Sequence, residues 1–113
     1  MIEKAIQNIL QNKYTNEPIQ KKKLIEVAFL AQELLEKHLL PECEICFLMH
    51  SNARGICYNS GEKISLQIQF SINEDMEEIR NTILHEIAHA LVGNENGHNL
   101  VWKKKALELG VRI

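Results

Sequence analysis

Residues 85–89 read His85-Glu86-Ile87-Ala88-His89, and this pentapeptide is the most informative stretch of the sequence. On a helix, residues four positions apart share one face, with Cβ atoms about 5–6 Å apart. Two imidazoles placed in this way can converge on one Zn²⁺ at nitrogen–metal distances of about 2.0–2.1 Å. Glu86 lies roughly 100° round the helix from His85, because one turn takes about 3.6 residues. Its carboxylate can therefore face the open coordination position without binding the metal.

A catalytic zinc site needs three protein ligands and one open position, so the two helical histidines need a further partner. His98 is the best candidate, because it follows Gly97 and the eight residues 90–97 can turn the chain back over the preceding helix. Glu95 is the alternative, since carboxylates also complete two-histidine sites. The metzincin pattern does not fit, because Val92 and Glu95 stand where that pattern has glycine and histidine.

A five-residue pattern also arises by chance, and a helix can carry His85 and His89 as ordinary core or surface residues. The context favours a metal site: the match lies within a predicted helix, its spacer residues are apolar, and another histidine follows. The motif is the signature of zinc metalloproteases, in which the glutamate is the general base. The sequence therefore predicts one Zn²⁺ at the motif histidines, with Glu86 as the catalytic residue.

The motif lies in a helix predicted over residues 73–92, with Ser71 or Asn73 as its cap. Acidic residues crowd its first turns, where the helix dipole favours negative charge. Gly93 suits the left-handed conformation that often ends a helix. A last helix is predicted over residues 99–109.

Three short strands precede the motif helix. Residues 45–49 form a near-continuous apolar run, and residues 55–58 are a shorter candidate. Residues 64–70 alternate apolar and polar side chains, which predicts one buried and one wet face, as in an edge or outer strand. Two helices come first, over residues 2–11 and 18–39.

This order of elements predicts an α+β domain in which a small three-stranded sheet packs against helices. The 113 residues fit one domain. We expect the N-terminal helices in residues 1–40, the strands in residues 44–70, and the active-site and C-terminal helices in residues 73–110.

The composition, with 45% hydrophobic and 25% charged residues, is ordinary for a globular protein. A net charge of -2 gives no global attraction to nucleic acid. The lysine runs at residues 21–23 and 103–105 are most simply solvated helix faces, with a phosphate-contacting patch as the alternative. No run approaches the ~20 apolar residues of a membrane span, and the N-terminus lacks the features of a signal peptide. We therefore expect a cytoplasmic protein with no membrane partner.

The three cysteines, Cys43, Cys46 and Cys57, cannot all pair within the chain and are expected to be free thiols in a reducing compartment. Cys43 and Cys46 have the spacing of metal ligands, and Cys57 or His50 could join them. Half a zinc site is a weak signal, so buried or inert cysteines are favoured. Trp102 is expected to anchor the core under the metal loop.

With these residues in place, the sequence resembles the SprT-like family, which includes the Spartan-type proteases of DNA–protein crosslinks. The resemblance covers about residues 40–110. It rests on residues 54–58, 64–66, 82–90, 97–98, 102–103 and 106–110. Together these segments are far more specific than the pentapeptide alone.

The resemblance implies a zincin-like fold whose zinc is held by His85, His89 and His98, with Glu86 as the catalytic base. It also implies that the strand before the active-site helix, here residues 64–70, forms an edge along which a peptide substrate lies. Protein or peptide substrates are therefore expected, and DNA is a further candidate partner.

Two departures from the family pattern leave the substrate and any role of DNA open. Longer members carry a cysteine-rich zinc ribbon or DNA-binding extensions, and the sequence contains neither. Asn99 stands where a glycine often follows the third histidine. The sequence is similar to the short stand-alone SprT-like domains of bacteria, phages and mobile elements.

The predicted function is zinc-dependent hydrolysis of peptide bonds, with DNA-associated or DNA-crosslinked proteins as candidate substrates. Tyr58, Arg54 and His50 are candidate donors to the developing oxyanion, and the sequence does not rank them. The alternative from another class is a DNA-associated binding module that contains zinc and has little or no protease activity. Peptide deformylase fits poorly, because its motif has aspartate where Ala88 stands.

Overall fold

The computed structural model describes residues 2–49 and 52–113 and has a mixed α+β architecture. Its elements are α1 (Ile2–Leu10), α2 (Pro18–Lys37), β1 (Glu44–Leu48), β2 (Gly55–Tyr58), β3 (Lys63–Gln67), α3 (Ile68–Asn73), α4 (Met76–Val92), a 3₁₀ turn (Asn94–Asn96) and α5 (Leu100–Leu109). The predicted α+β class and the small three-stranded sheet packed against helices are confirmed. None of the helices in this part of the chain is both long enough and apolar enough to cross a membrane.

The strand order is β1-β3-β2, with β1 parallel and β2 antiparallel to β3. The prediction that the third strand is an edge strand is therefore wrong, because β3 lies in the centre. Its alternation did not create a wet face: Ser65 is buried, and its hydroxyl lies 2.7 Å from Cys46 Sγ on the neighbouring strand. The strand edge that faces the motif helix α4 belongs to β2.

The prediction of a strand as far as residue 70 is also wrong, because β3 ends at Gln67 and α3 follows at once. The Gln67 side chain accepts a hydrogen bond from the Phe70 backbone N–H at 2.6 Å, and the Ser71 hydroxyl donates to the Gln67 carbonyl at 2.9 Å. These local bonds favour a helix over continued alternation. The motif helix consequently begins later than predicted, and Asp75 caps it by accepting from the Glu78 N–H at 2.9 Å.

The core lies between the sheet and helices α2 and α4. The predicted stripe of α2 is fully buried and consists of Leu24, Val27, Ala28, Ala31, Leu34 and Leu35. On α4, Ile79, Ile83 and Ile87 are also fully buried, one turn apart. Because this stripe fixes the rotation of α4 about its axis, the histidines of the motif are held on a different face of the helix.

Replacing Ile87 with alanine should lower the free energy of unfolding by about 2–5 kcal/mol, because the side chain is fully buried and its loss leaves a cavity. Ile19→Ala is the matched control: Ile19 also lies in a helix, but it is 83% exposed, so the change should stay within about 0.5 kcal/mol. Urea denaturation of the metal-free proteins measures both. Equal losses in the two variants would contradict the assignment of the core.

Candidate metal centre

Three histidine side chains meet at the end of α4 that is nearest to α5. His85 and His89 are one turn apart on α4, and His98 reaches them from the loop before α5. The Nε2 atom of His98 lies 3.1 Å from Nε2 of His85 and 3.1 Å from Nε2 of His89. Among residues 2–49 and 52–113, these three residues form the group of potential metal ligands, with ligand atoms within 4.8 Å of one another.

The arrangement fits a metal ion better than it fits hydrogen bonding among imidazoles. A neutral ring nitrogen carries either one hydrogen or one lone pair, so Nε2 of His98 cannot form two good hydrogen bonds at once. Nitrogen atoms bound to one tetrahedral ion at about 2.0–2.1 Å are separated by about 3.3–3.4 Å. The two separations of 3.1 Å are close to this value. The three residues therefore lie close enough together to bind one metal ion.

Glu95, the alternative third ligand, is exposed and lies outside this group. Its carboxylate lies instead over Gly93, where its oxygen atoms would be 2.5 Å from a Cβ added at that position. Among the described residues, the third potential ligand is thus His98.

The loop that carries His98 depends on backbone conformations that favour glycine. Gly93 ends α4 at φ 95°, ψ 140°, and its N–H donates to the His89 carbonyl. Gly97 has φ 53°, ψ -131°, a region that side chains with a Cβ avoid. Asn99, the departure from the family pattern, caps α5 by accepting from the Trp102 N–H at 3.2 Å.

Trp102 packs against all three imidazoles and is nearly completely buried, as predicted for a core anchor. Its ring centroid lies 4.6 Å from that of His85, 5.2 Å from that of His89 and 4.6 Å from that of His98. The indole N–H donates to the His85 carbonyl at 3.4 Å. The indole therefore restricts the orientations of the three rings.

Glu86 is buried beside the histidines, with a carboxylate oxygen 3.9 Å from Nε2 of His85. Burial raises the pKa of Glu86 to about 7, although a hydrogen bond from the Cys57 backbone N–H opposes the shift. Gly55 allows the strand to approach, since a Cβ there would lie 3.1 Å from Cγ of Glu86. The carboxylate is thus held between β2 and the histidines.

The surroundings of the two helical histidines favour the neutral form, which is the form that binds metals. Burial, and then the charges that His89 and His98 would carry, lower the pKa of His85 to about 4. Burial followed by the charge of His98 also lowers the pKa of His89.

A cleft follows β2 on both sides of the histidines. A pocket of about 400 Å³ is lined by residues that include Arg54, Gly55, Thr82 and Glu86. A second pocket of about 250 Å³ extends towards Asn94. Both pockets include His85 and His98 in their walls, so the potential metal position is open to a molecule in the cleft.

Of the two candidate oxyanion donors that the structure describes, Arg54 and Tyr58, Arg54 lines a pocket together with His85 and His98. The Arg54 guanidinium lies over the Phe70 ring, 5.0 Å from its centroid, and 4.0 Å from a carboxylate oxygen of Glu78. The Tyr58 ring lies under the Lys63 ammonium group, at 4.8 Å. His50 lies outside the described residues.

The three cysteines are free thiols, as predicted. Burial raises the pKa of Cys43 to about 11, and burial with the nearby charge of Glu86 raises the pKa of Cys57. Within residues 2–49 and 52–113 they do not gather as metal ligands.

Of the lysine runs, residues 103 and 104 are exposed, whereas Lys23 donates to the Glu74 carbonyl at 2.5 Å.

Sequence patterns did not single out Asn94, which binds β2 through its side chain. Its partner residue is 37 positions away in the sequence, and asparagine in a glycine-containing loop is first interpreted as turn chemistry. Gly55 was part of the family resemblance, but its contact with Glu86 needed the tertiary structure.

Fold and site together define a mixed α+β domain with a three-histidine centre beside a buried carboxylate. The model of the SprT-like family matches residues 24–112, nearly the whole chain. The chain therefore belongs to the SprT-like family, a family of metallopeptidase type. Searches of curated proteins and of solved structures returned no match.

Replacing Glu86 with glutamine should stabilise the metal-free protein at alkaline pH. The carboxyl group has a pKa of 4.5 when unperturbed and about 7 in the fold, so its stabilising contribution is present below pH 4.5 and is lost as the pH rises through 7. The free energy of unfolding of the variant, relative to wild type, should rise by on the order of 3 kcal/mol between pH 4 and pH 8.

Urea denaturation in the presence of a chelator measures this difference, and the shared histidines cancel between the two proteins. Glu77→Gln is the control, because Glu77 is exposed on the same helix. Parallel stability curves for wild type and Glu86→Gln would contradict the raised pKa.

Proposed function

We propose that this chain is a zinc-dependent metallopeptidase of zincin-like fold that hydrolyses peptide bonds in protein substrates. The observation that carries the proposal is the group of three imidazole nitrogens beside the buried carboxylate of Glu86. Membership of the SprT-like family supports it. Zinc is the preferred ion, since three neutral imidazoles with an open fourth position are a known catalytic zinc ligand set.

The ion, when bound, supplies Lewis acidity towards a substrate carbonyl group and a water molecule. His85, His89 and His98 would hold it, and Trp102 restricts the three rings. Because His85 and His98 line both pockets of the cleft, a substrate bound there would have access to the ion.

Glu86 is assigned the proton transfers. Its carboxylate accepts a proton from the attacking water and later donates it to the nitrogen of the leaving amine, so that one proton is moved for each bond cleaved. Burial favours this role because it raises the pKa of the group towards neutrality. A cation at the histidines would favour the charged form, which is the form that accepts the proton.

The substrate backbone is assigned to the free edge of β2. The Gln67 N–H donates to the Arg54 carbonyl at 2.9 Å, so Arg54 faces β3. In an antiparallel pair, the backbone groups of the next residue point the opposite way, and Gly55 therefore directs its N–H and carbonyl to the cleft. An extended peptide can pair there beside Glu86, so the edge of β2 at Gly55 replaces the edge predicted at residues 64–70.

Substituting Glu86 with glutamine should leave zinc bound at one ion per chain and reduce proteolysis by about 10²–10⁴-fold, the usual contribution of a general base. Metal analysis and cleavage of casein, with and without single-stranded DNA, measure the two effects, with Glu77→Gln as control. The DNA arm tests DNA-associated proteins as substrates. Unchanged proteolysis in Glu86→Gln would contradict the role of Glu86. A salt-sensitive gel shift without any cleavage would favour the binding-module alternative.

Substituting His98 with alanine should weaken zinc binding at least about 100-fold, since losing a ligand should cost no less than losing an outer-shell partner, which costs about 10–100-fold. Glu95→Ala should bind zinc as wild type does, because Glu95 lies outside the histidine group. Competition with a chromophoric chelator measures both dissociation constants. Weaker zinc binding in Glu95→Ala, with wild-type binding in His98→Ala, would assign the third ligand to Glu95.

A further inference from the structure

The loop between α4 and α5 is attached to the edge strand through Asn94. The Asn94 side-chain amide donates to the Cys57 carbonyl at 2.8 Å, and its backbone N–H donates to the Ser60 hydroxyl at 3.1 Å. These bonds join the loop to β2 and to the turn that follows β2. The loop that carries His98 is thus fastened to the strand along which a substrate would lie.

Cys57 is the residue at which the loop and the proposed general base meet. Its N–H donates to the carboxylate of Glu86, and its carbonyl accepts from Asn94. Like Gly55, it directs its backbone groups away from β3. The Asn94 amide therefore takes the acceptor that a paired peptide would otherwise use, and the open edge is confined to the region of Gly55.

Hydrogen bonds hold this loop, because residues 94–96 bury none of their side chains. The Asn96 amide donates to the Val92 carbonyl at 2.6 Å, and the Asn99 amide donates to the Asn96 side-chain oxygen at 3.1 Å. These two bonds tie the loop to the end of α4 and to the start of α5. Asn94 adds the attachment to the sheet.

We propose that Asn94 is a positioning residue for the metal: its bond to Cys57 holds the loop so that the His98 imidazole stays within reach of the other two. This inference rests on the proposed metal site. His98 lies four positions after Asn94, and Gly97 between them lacks a Cβ, so that its backbone is little restricted. Without the bond to β2, the exposed His98 would sample positions too far from His85 and His89 to share an ion.

The test measures zinc affinity by chelator competition, with the emission of Trp102 as a second signal. Trp102 is the single tryptophan of the chain and contacts all three histidines. Asn94→Ala should raise the zinc dissociation constant about tenfold, the scale of a lost outer-shell partner. Asn73→Ala is the matched control, because it removes an exposed asparagine with a side-chain hydrogen bond to Gln69, and it should leave the constant unchanged.

Asn94→Asp separates positioning from charge. The carboxylate is nearly isosteric with the amide but cannot donate to the Cys57 carbonyl, whereas its negative charge would attract a cation. We expect zinc binding at least as weak as in Asn94→Ala. The inference would be overturned if Asn94→Asp bound zinc more tightly than Asn94→Ala, or if Asn94→Ala had the zinc dissociation constant of wild type.

Two further measurements keep the inference separate from general destabilisation and from the proposed function. Ser60→Ala removes the hydrogen bond to the Asn94 backbone N–H. It should weaken zinc binding, but by less than Asn94→Ala does. Urea denaturation of the metal-free variants should show free energies of unfolding close to that of wild type, so that the weaker zinc binding does not come from unfolding. If the variants bind zinc weakly only because they unfold, the positioning role is overturned. If the wild-type protein binds no zinc, the proposed metal site fails. If the wild-type protein binds zinc and the Asn94 variants bind it equally tightly, the positioning role alone fails.

Discussion

One helix has to satisfy two requirements, and the rest of the structure depends on both being met. The stripe of Ile79, Ile83 and Ile87 on α4 must be buried against the sheet and α2, while His85 and His89 must leave that contact. The helical repeat of about 3.6 residues fixes the angle between these two faces. Burial of the isoleucines therefore fixes the direction in which the histidines project from α4. Glu86 lies between the buried face and the histidine face of the helix, where β2 covers it.

That boundary position explains the electrostatics of the site. A carboxylate facing solvent would be an ordinary acid, and one deep in the core would be unpaired and costly. Glu86 is buried but receives one hydrogen bond from the Cys57 N–H, and Gly55 leaves room for it. The same strand thus shields the carboxylate and presents an open backbone edge. Gly55 and Cys57 of β2 thus contribute both to the burial of Glu86 and to the proposed site.

The sequence predicted what is local and missed what is tertiary. His85, Glu86 and His89 followed from helical spacing, and His98 from loop length and the family resemblance. The central place of β3 was not predictable from its alternation, because strand order depends on partners far along the chain. The helix after Gln67 was missed because one side-chain cap overrides a short alternating pattern. Asn94 carries no local signature, since its role depends on a strand 37 residues away.

The shortness of the open edge has a consequence for selectivity. An edge that offers the N–H and carbonyl of Gly55 reads the backbone of its guest, which all polypeptides share, and side chains contribute little discrimination through such pairing. On the proposed function, a chain held close to the cleft would be cut in preference to one that only diffuses past, because tethering raises its effective local concentration. Control of such an activity would lie in recruitment.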